Sequence, residues 1–131
     1  MIISFFKKIL GNKKPTSKFP KVVVGQIIDI TNHPKADRLQ VATVNIGRPL
    51  KVVCGATNIA VGQLVPVALI GACLPNGIVI QQVNIRGIDS EGMICAEDEL
   101  CIGQDHTGII VLTEGKIGEP IDSFLKSTNS N

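Results

Sequence analysis

Hydrophobic positions recur with the two-residue period of β-strands along most of the chain. Residues 22–30 are rich in β-branched side chains, and residues 39–46 divide between two faces before a turn at residues 47–49. Further apolar runs, each bounded by Gly, Pro, Asn or Asp, cover residues 50–54, 64–70, 78–85, 93–96 and 109–112. Residues 97–100 could form one helical turn. Short strands at this spacing predict an all-β domain, either a small closed barrel or a sandwich, and periodicity does not choose between them.

The first twenty residues follow a different pattern. Ile2, Ile3, Phe6, Ile9 and Leu10 are spaced as on one face of a short helix, which Gly11 to Pro15 would end. We therefore predict a basic amphipathic arm and linker at residues 1–20, a barrel domain at residues 21–125 and a polar tail at residues 126–131. The arm can be read as a frayed or docked helix, as a self-association element or as an RNA-grasping arm.

Charge is distributed unevenly along the 131 residues. The net charge is only +2, yet residues 1–21 hold six lysines and no acid, so a basic arm precedes a mildly acidic body. No apolar run is long enough to span a membrane, so we expect a cytoplasmic protein without a membrane span. The four cysteines are then expected to be reduced and buried as small hydrophobic residues.

The sequence lacks the usual patterns of catalytic or metal sites. His33 and His106 are the only histidines, and neither has the spacing to a cysteine that zinc sites use. Ser90 lies outside any nucleophile-elbow pattern, and no glycine-rich loop of the phosphate-cradling kind is present. We therefore expect no metal, no cofactor and no catalytic residue.

Aromatic side chains are almost absent. The chain has no Trp or Tyr, and no Phe lies between Lys21 and Ser123. Proteins that hold single strands by base stacking need such rings. If the body of this chain binds nucleic acid, it must use phosphates, hydroxyl groups and shape, with only Arg and His side chains offering flat faces.

Three segments carry more specific information than composition does. They read Val24-Gly25-Gln26-Ile27 with His33-Pro34-Lys35-Ala36-Asp37-Arg38-Leu39, then Cys54-Gly55-Ala56-Thr57-Asn58, and then Leu74-Pro75-Asn76-Gly77 with Arg86-Gly87-Ile88-Asp89-Ser90-Glu91-Gly92-Met93. In this order they resemble the EMAP-II-like tRNA-binding domain near the start of the bacterial phenylalanyl-tRNA synthetase β chain and its standalone relatives. The resemblance runs from residue 22 to about residue 125.

The resemblance implies a five-stranded OB-fold Greek-key barrel, with small extra strands or helical turns, that acts as a non-catalytic tRNA-binding module. Asp37 is expected to accept backbone N–H bonds in the His-Pro-x-Ala-Asp turn and so to direct Leu39 into the core. The cations expected to contact phosphate are Lys35, Arg38, Arg48, Lys51 and Arg86, together with Lys21 at the end of the arm. Asn58 and Ser90 are further candidates for RNA contact, each with the alternative of stabilising a turn. For Met93 we expect packing.

Two features separate this chain from the family pattern. Ala96-Glu97-Asp98-Glu99-Leu100-Cys101 replaces a cation by Asp98 and a glycine by Cys101, so the second half of the barrel is acidic. The chain is also too short for a synthetase catalytic core. The expected partners are tRNA and either an aminoacyl-tRNA synthetase or a second copy of the chain. The alternative function is a dimeric protein-binding or chaperone-like OB module, and a third is one piece of a synthetase β chain.

Overall fold

The computed structural model describes residues 19–104, 108–122 and 124. Seven strands lie in this range, joined by turns and loops. They are β1 (Val22–Asn32), β2 (Gln40–Asn45), β3 (Pro49–Cys54), β4 (Leu64–Leu69), β5 (Val83–Ile85), β6 (Ile88–Ser90) and β7 (Gly92–Ile94).

Five of the strands form one antiparallel sheet in the order β3-β2-β1-β4-β7, and β5 and β6 form a separate hairpin. The order is not sequential, because β4 pairs with β1 and not with its predecessor β3. The sheet curls until β3 meets the segment that leads into β7, where the Glu91 N–H donates to the Lys51 carbonyl oxygen at 2.8 Å. This nearly closed Greek-key arrangement confirms the predicted five-stranded OB-fold barrel.

The interior of the barrel is filled by the inward faces of its strands. Ile27, Val44, Val52, Val65 and Val67 are completely shielded from solvent and form one of the two core clusters. β1 serves both of its neighbours: its first half pairs with β4 and its second half with β2. The change of register between Ile27 and Asp29 marks the point where β1 bends from one partner to the other.

Two of the predicted strands are much shorter than expected. Of residues 78–85 only Val83–Ile85 is a strand, because residues 78–80 fold back on residues 71–74 through the bonds Leu74 N–H to Ile78 O and Ile80 N–H to Ala72 O, both 2.8 Å. Residues 109–112 contribute a single bridge, Leu64 to Leu112. The predicted helical turn at residues 97–100 is a succession of hydrogen-bonded turns.

The two ends of the chain fall largely outside the described residues, so the predictions for residues 1–18 and for the tail at residues 126–131 do too. Phe19, which we placed in the linker, is buried in the core with Val22 and Ile121, so the packed domain starts earlier than residue 21. Among the described residues, no helix is long and apolar enough to cross a membrane.

The prediction that the cysteines are reduced and buried was correct for only some of the four. All four thiols are free, Cys95 is buried and Cys54 is half-buried, but Cys73 and Cys101 are exposed. The prediction of four buried cysteines was therefore wrong for these last two. Cys73 lies between β4 and β5 and Cys101 follows β7, and at each place the adjacent residue, Leu74 or Leu100, takes the buried position instead.

Candidate nucleic-acid interface

Three of the predicted cations meet at one end of the barrel, and we call Lys35, Arg38 and Arg86 the loop group. Lys35 and Arg38 lie in the connection between β1 and β2, whereas Arg86 lies in the turn between β5 and β6, about fifty residues later. The Arg86 Nη1 donates to the Lys35 carbonyl oxygen at 3.1 Å, and Arg38 and Arg86 line the same depression of about 270 Å³. All three side chains are exposed, and Asp37 is the one carboxylate that lines the depression.

His33 holds the β1–β2 connection in shape. Its ring is 4% exposed, and its Nδ1 accepts the backbone N–H of Lys35 at 2.9 Å. The expected acceptor, Asp37, is exposed, and no backbone N–H within the described ranges donates to it. The prediction for Asp37 was wrong because a histidine four positions earlier already supplies the acceptor. Leu39, expected in the core, is half-buried and lies against Gly55.

The turn that carries Arg86 is a tight two-residue hairpin loop. Arg86 and Gly87 have φ angles of 50° and 96°, a pair of positive values that matches the twist of the two strands. Asn84 closes the turn, because its Oδ1 accepts the Gly87 N–H at 3.0 Å and its Nδ2 donates to the Asp89 carboxylate at 2.8 Å. The position of the Arg86 backbone is therefore well determined.

The other three predicted cations are Lys21 and Arg48, near the opposite end of the β2–β3 ladder, and Lys51, two residue steps inside that end; we call these three residues the strand group. Lys21 precedes β1, Arg48 is in the β2–β3 turn and Lys51 is on the outer face of β3. Lys21 and Arg48 line a depression of about 330 Å³ with Glu91. One carboxylate oxygen of Glu91 accepts the Lys51 backbone N–H at 2.9 Å. An acid from the second half of the chain is thus placed inside a basic group from the first half.

The two ends of the β2–β3 ladder are well separated, and Lys51 lies between them, three residue steps from the Gln40–Cys54 pair. The β2–β3 ladder runs from the Gln40–Cys54 pair beside the loop group to the Asn45–Pro49 pair beside the strand group. Five residue steps of a strand cover about 17 Å, which is too far for one phosphate to contact both ends. The sequence indicated these six cations but not how they are arranged, and in the structure Arg38 and Arg86 line one depression whereas Lys21 and Arg48 line another.

Ser90 and Asn58 have structural partners. Ser90 is 6% exposed, its Oγ accepts the Val53 N–H at 3.0 Å, and its hydroxyl donates to the Gly92 carbonyl oxygen at 3.1 Å. Asn58 forms a pair of bonds with Ile109, its Oδ1 accepting the backbone N–H at 3.0 Å and its Nδ2 donating to the carbonyl oxygen at 3.1 Å. These contacts match the turn- and strand-stabilising alternatives, so the interface proposed below leaves both residues out.

The titratable groups near the barrel interior do not form a reactive site. Burial raises the pKa of the Cys95 thiol to about 12, with a smaller contribution from the charge of Glu99. Burial also raises the pKa of Cys54. Within the part of the chain that the structure describes, no group of three or more His, Cys, Asp or Glu residues could hold a metal ion. Met93 is half-buried and packs against the core, as predicted.

Comparison with known proteins places this barrel in a family. A family model described as a putative tRNA binding domain matches residues 22–120, a range that contains all seven strands. The chain belongs to this family. The match ends at Pro120, which forms a bridge with Val23 of β1, so it covers the whole barrel.

The tRNA-binding domain is similar to a short part of several large proteins. It is 48% identical over 103 residues to the phenylalanine–tRNA ligase beta subunit of Nitratidesulfovibrio vulgaris, covering 77% of this chain and 13% of that protein. The beta subunit of Syntrophus aciditrophicus is 50% identical over 109 residues, covering 82% and 14%. The chain thus spans about one seventh of the curated relatives that it matches.

A solved structure supports the fold assignment. The C-terminal domain of Plasmodium vivax p43 superposes with a TM-score of 0.53 at 20% sequence identity, covering 74% of this chain and 56% of that one. At this identity the likeness concerns the fold only.

Proposed function

We propose that this domain binds folded tRNA through its phosphate backbone, without base-specific contacts and without chemistry of its own. The observation that carries the proposal is the pair of cationic groups along the β2–β3 ladder in a domain of the tRNA-binding family. Phosphate contacts position a nucleic acid without reading its sequence. The domain would therefore bind many tRNAs with similar affinity.

The side-chain inventory supports phosphate contact over base stacking. Within the described residues the only aromatic rings besides His33 are Phe19, which is buried, and Phe124, which is partly buried against the core. The six cations of the two groups are all exposed. The depression beside each group is lined by two of its cations and by a single carboxylate, Asp37 or Glu91, so positive charge is in excess in both depressions.

The separation of about 17 Å between the two ends of the ladder, with Lys51 between them, favours a rigid, folded ligand. A flexible single strand loses conformational freedom when it is held at two distant points, whereas a folded RNA already presents its phosphates at fixed positions. An aminoacyl-tRNA synthetase is the partner that the relatives suggest for such a module, since the relatives are beta subunits of phenylalanine–tRNA ligases.

The salt dependence of binding tests the proposal. The full chain is titrated against fluorescently labelled unfractionated tRNA at 50 and 200 mM KCl, with poly(U) as an unfolded control. Six phosphate contacts, each contributing about 0.7 to 0.9 to the logarithmic slope, predict an affinity loss of about 300- to 2,000-fold between the two concentrations. Engagement of one group alone predicts only about 20- to 40-fold.

We expect the larger loss, and we expect poly(U) to bind more weakly than tRNA at the same phosphate concentration. Equal affinity for tRNA at both salt concentrations, or no binding at either, would overturn the proposal. Tighter binding to poly(U) would show that single strands, and not folded RNA, are the ligand.

A further inference from the structure

The imidazole of His33 joins two parts of the molecule that otherwise belong to different sheets. Its Nδ1 accepts the Lys35 N–H, and its Nε2 lies 2.8 Å from the carbonyl oxygen of Ile85 in strand β5. A nitrogen that accepts an N–H carries no proton, so these partners assign the neutral tautomer with the proton on Nε2, which donates to Ile85. The ring thus links the loop between β1 and β2 to the β5–β6 hairpin.

The two hydrogen bonds of the His33 ring lie next to residues of the loop group. Lys35 is two residues after His33, and Arg86 is the residue after Ile85. A second bond, from Arg86 Nη1 to the Lys35 carbonyl oxygen, links the same two segments at an exposed position. The hairpin belongs to no ladder of the barrel, and its base is held to β3 by the bond between Ser90 and Val53. At its turn end, the bonds of His33 and Arg86 set where Arg86 lies relative to Lys35 and Arg38.

We propose that His33 is a positioning residue for RNA binding: its Nε2–H bond to Ile85 holds the hairpin so that Arg86 joins Lys35 and Arg38 in one phosphate-binding group. The inference rests on the proposed function and deepens it, because it assigns a buried side chain to the geometry of the interface. His33 itself is 4% exposed and contacts no phosphate.

The chemistry of the ring allows its two bonds to be separated. In the H33N variant the amide oxygen replaces Nδ1 as the acceptor for the Lys35 N–H, two residues on, but the side chain is too short to reach Ile85. In the H33Q variant the amide nitrogen replaces Nε2 and keeps the bond to Ile85. If the bond from His33 to Ile85 positions Arg86, H33N should weaken tRNA binding, whereas H33Q should keep most of the wild-type affinity.

The size of the effect follows from the loss of one phosphate contact. A contact that contributes 0.7 to 0.9 to the logarithmic salt slope is worth about five- to eightfold in affinity at 0.1 M KCl relative to 1 M. We expect R86Q to lose about this factor, H33N to lose a similar factor, and H33Q to stay within about twofold of the wild type. The double variant H33N/R86Q should bind no more weakly than R86Q, because both changes remove the same contact.

The full chain and these variants are compared by tRNA titration at 0.1 M KCl, and their folding is checked by far-ultraviolet circular dichroism. Wild-type affinity in H33N would overturn the inference. So would independent losses that multiply in H33N/R86Q, since a general loosening of the fold would act regardless of Arg86. If the wild-type chain itself binds tRNA without salt dependence, the proposed function fails instead.

A direct measurement covers the case in which H33N does not fold. The chain contains only two histidines, so the ¹⁵N resonances of their rings can be assigned by nuclear magnetic resonance. We expect His33 to show an unprotonated Nδ1 and a protonated Nε2 whose hydrogen exchanges slowly with water. Rapid exchange of that hydrogen, or the opposite tautomer, would contradict the cross-link.

Discussion

Neutralising Lys35 and Arg38 together, in the variant K35Q/R38Q, removes two of the three cations of the loop group. Both side chains are exposed, and neither takes part in the hydrogen bonds that build the barrel, so the fold should be unaffected. Lys35 contacts its neighbours only through its backbone, which the substitution preserves. The effect on RNA binding can therefore be separated from any effect on stability.

The magnitude follows from the number of phosphates released. Losing two contacts should reduce the logarithmic salt slope by about 1.4 to 1.8 and weaken tRNA binding at 0.1 M KCl by about 25- to 60-fold. The affinity loss between 50 and 200 mM KCl should fall from about 300- to 2,000-fold to about 50- to 150-fold. All tRNAs should be affected alike, because phosphate contacts carry no sequence information.

The assay is the titration of labelled tRNA at several KCl concentrations, with K116Q as the matched control. Lys116 is exposed but belongs to neither group, so K116Q should keep the slope of the wild-type chain. An unchanged slope in K35Q/R38Q, or an equal decrease in K116Q, would refute the assignment of the loop group. A loss confined to particular tRNAs would refute the argument that backbone contacts dominate.

Three further predictions concern the barrel itself. S90A should lower the free energy of unfolding in urea by about 1 to 3 kcal/mol, because the partly buried Val53 N–H loses its acceptor; an unchanged midpoint would contradict this role. G25A should lower the free energy of unfolding by about 1 to 3 kcal/mol in the same assay, because the added Cβ would lie 2.5 Å from Val44 Cγ1. Stability equal to that of the wild type would mean that Val44 moves away from the added methyl group at no cost. At pH 8 the two exposed thiols should react with an aromatic disulfide reagent well before Cys95, whose pKa burial raises to about 12, so that it stays a neutral thiol; equal rates would argue against its burial.

The strand pattern was predictable from local sequence because each strand is short, β-branched and bounded by turn residues. β1 to β4 begin and end within two residues of the predicted limits. The prediction was less accurate for residues 78–85, where an apolar stretch folds back on its own neighbours and leaves Ile78 and Val79 exposed. Hydrophobicity alone does not distinguish a strand of the barrel from such a local hairpin.

The candidate site was only partly predictable. Basic residues stand out in a sequence, so all six cations could be named, but their grouping depends on contacts between residues far apart in the chain. Arg86 joins Lys35 across 51 positions, and Glu91 bonds to Lys51 across 40. His33 carried only a weak signal, a lone histidine before a proline in the connection between two predicted strands, and nothing in that signal indicates a cross-link.

The sequence by itself determined that this is a small β domain without stacking rings, and it indicated the cations that we propose as RNA contacts, because composition and two-residue periodicity are local properties. The tertiary structure alone decided that these cations form two groups along one ladder, and that Ser90 and Asn58 are occupied within the protein. The physical reason is barrel closure: curling the sheet brings the segment from β5 to β7 against β3 and the β1–β2 connection, and those non-local hydrogen bonds determine which side chains remain free.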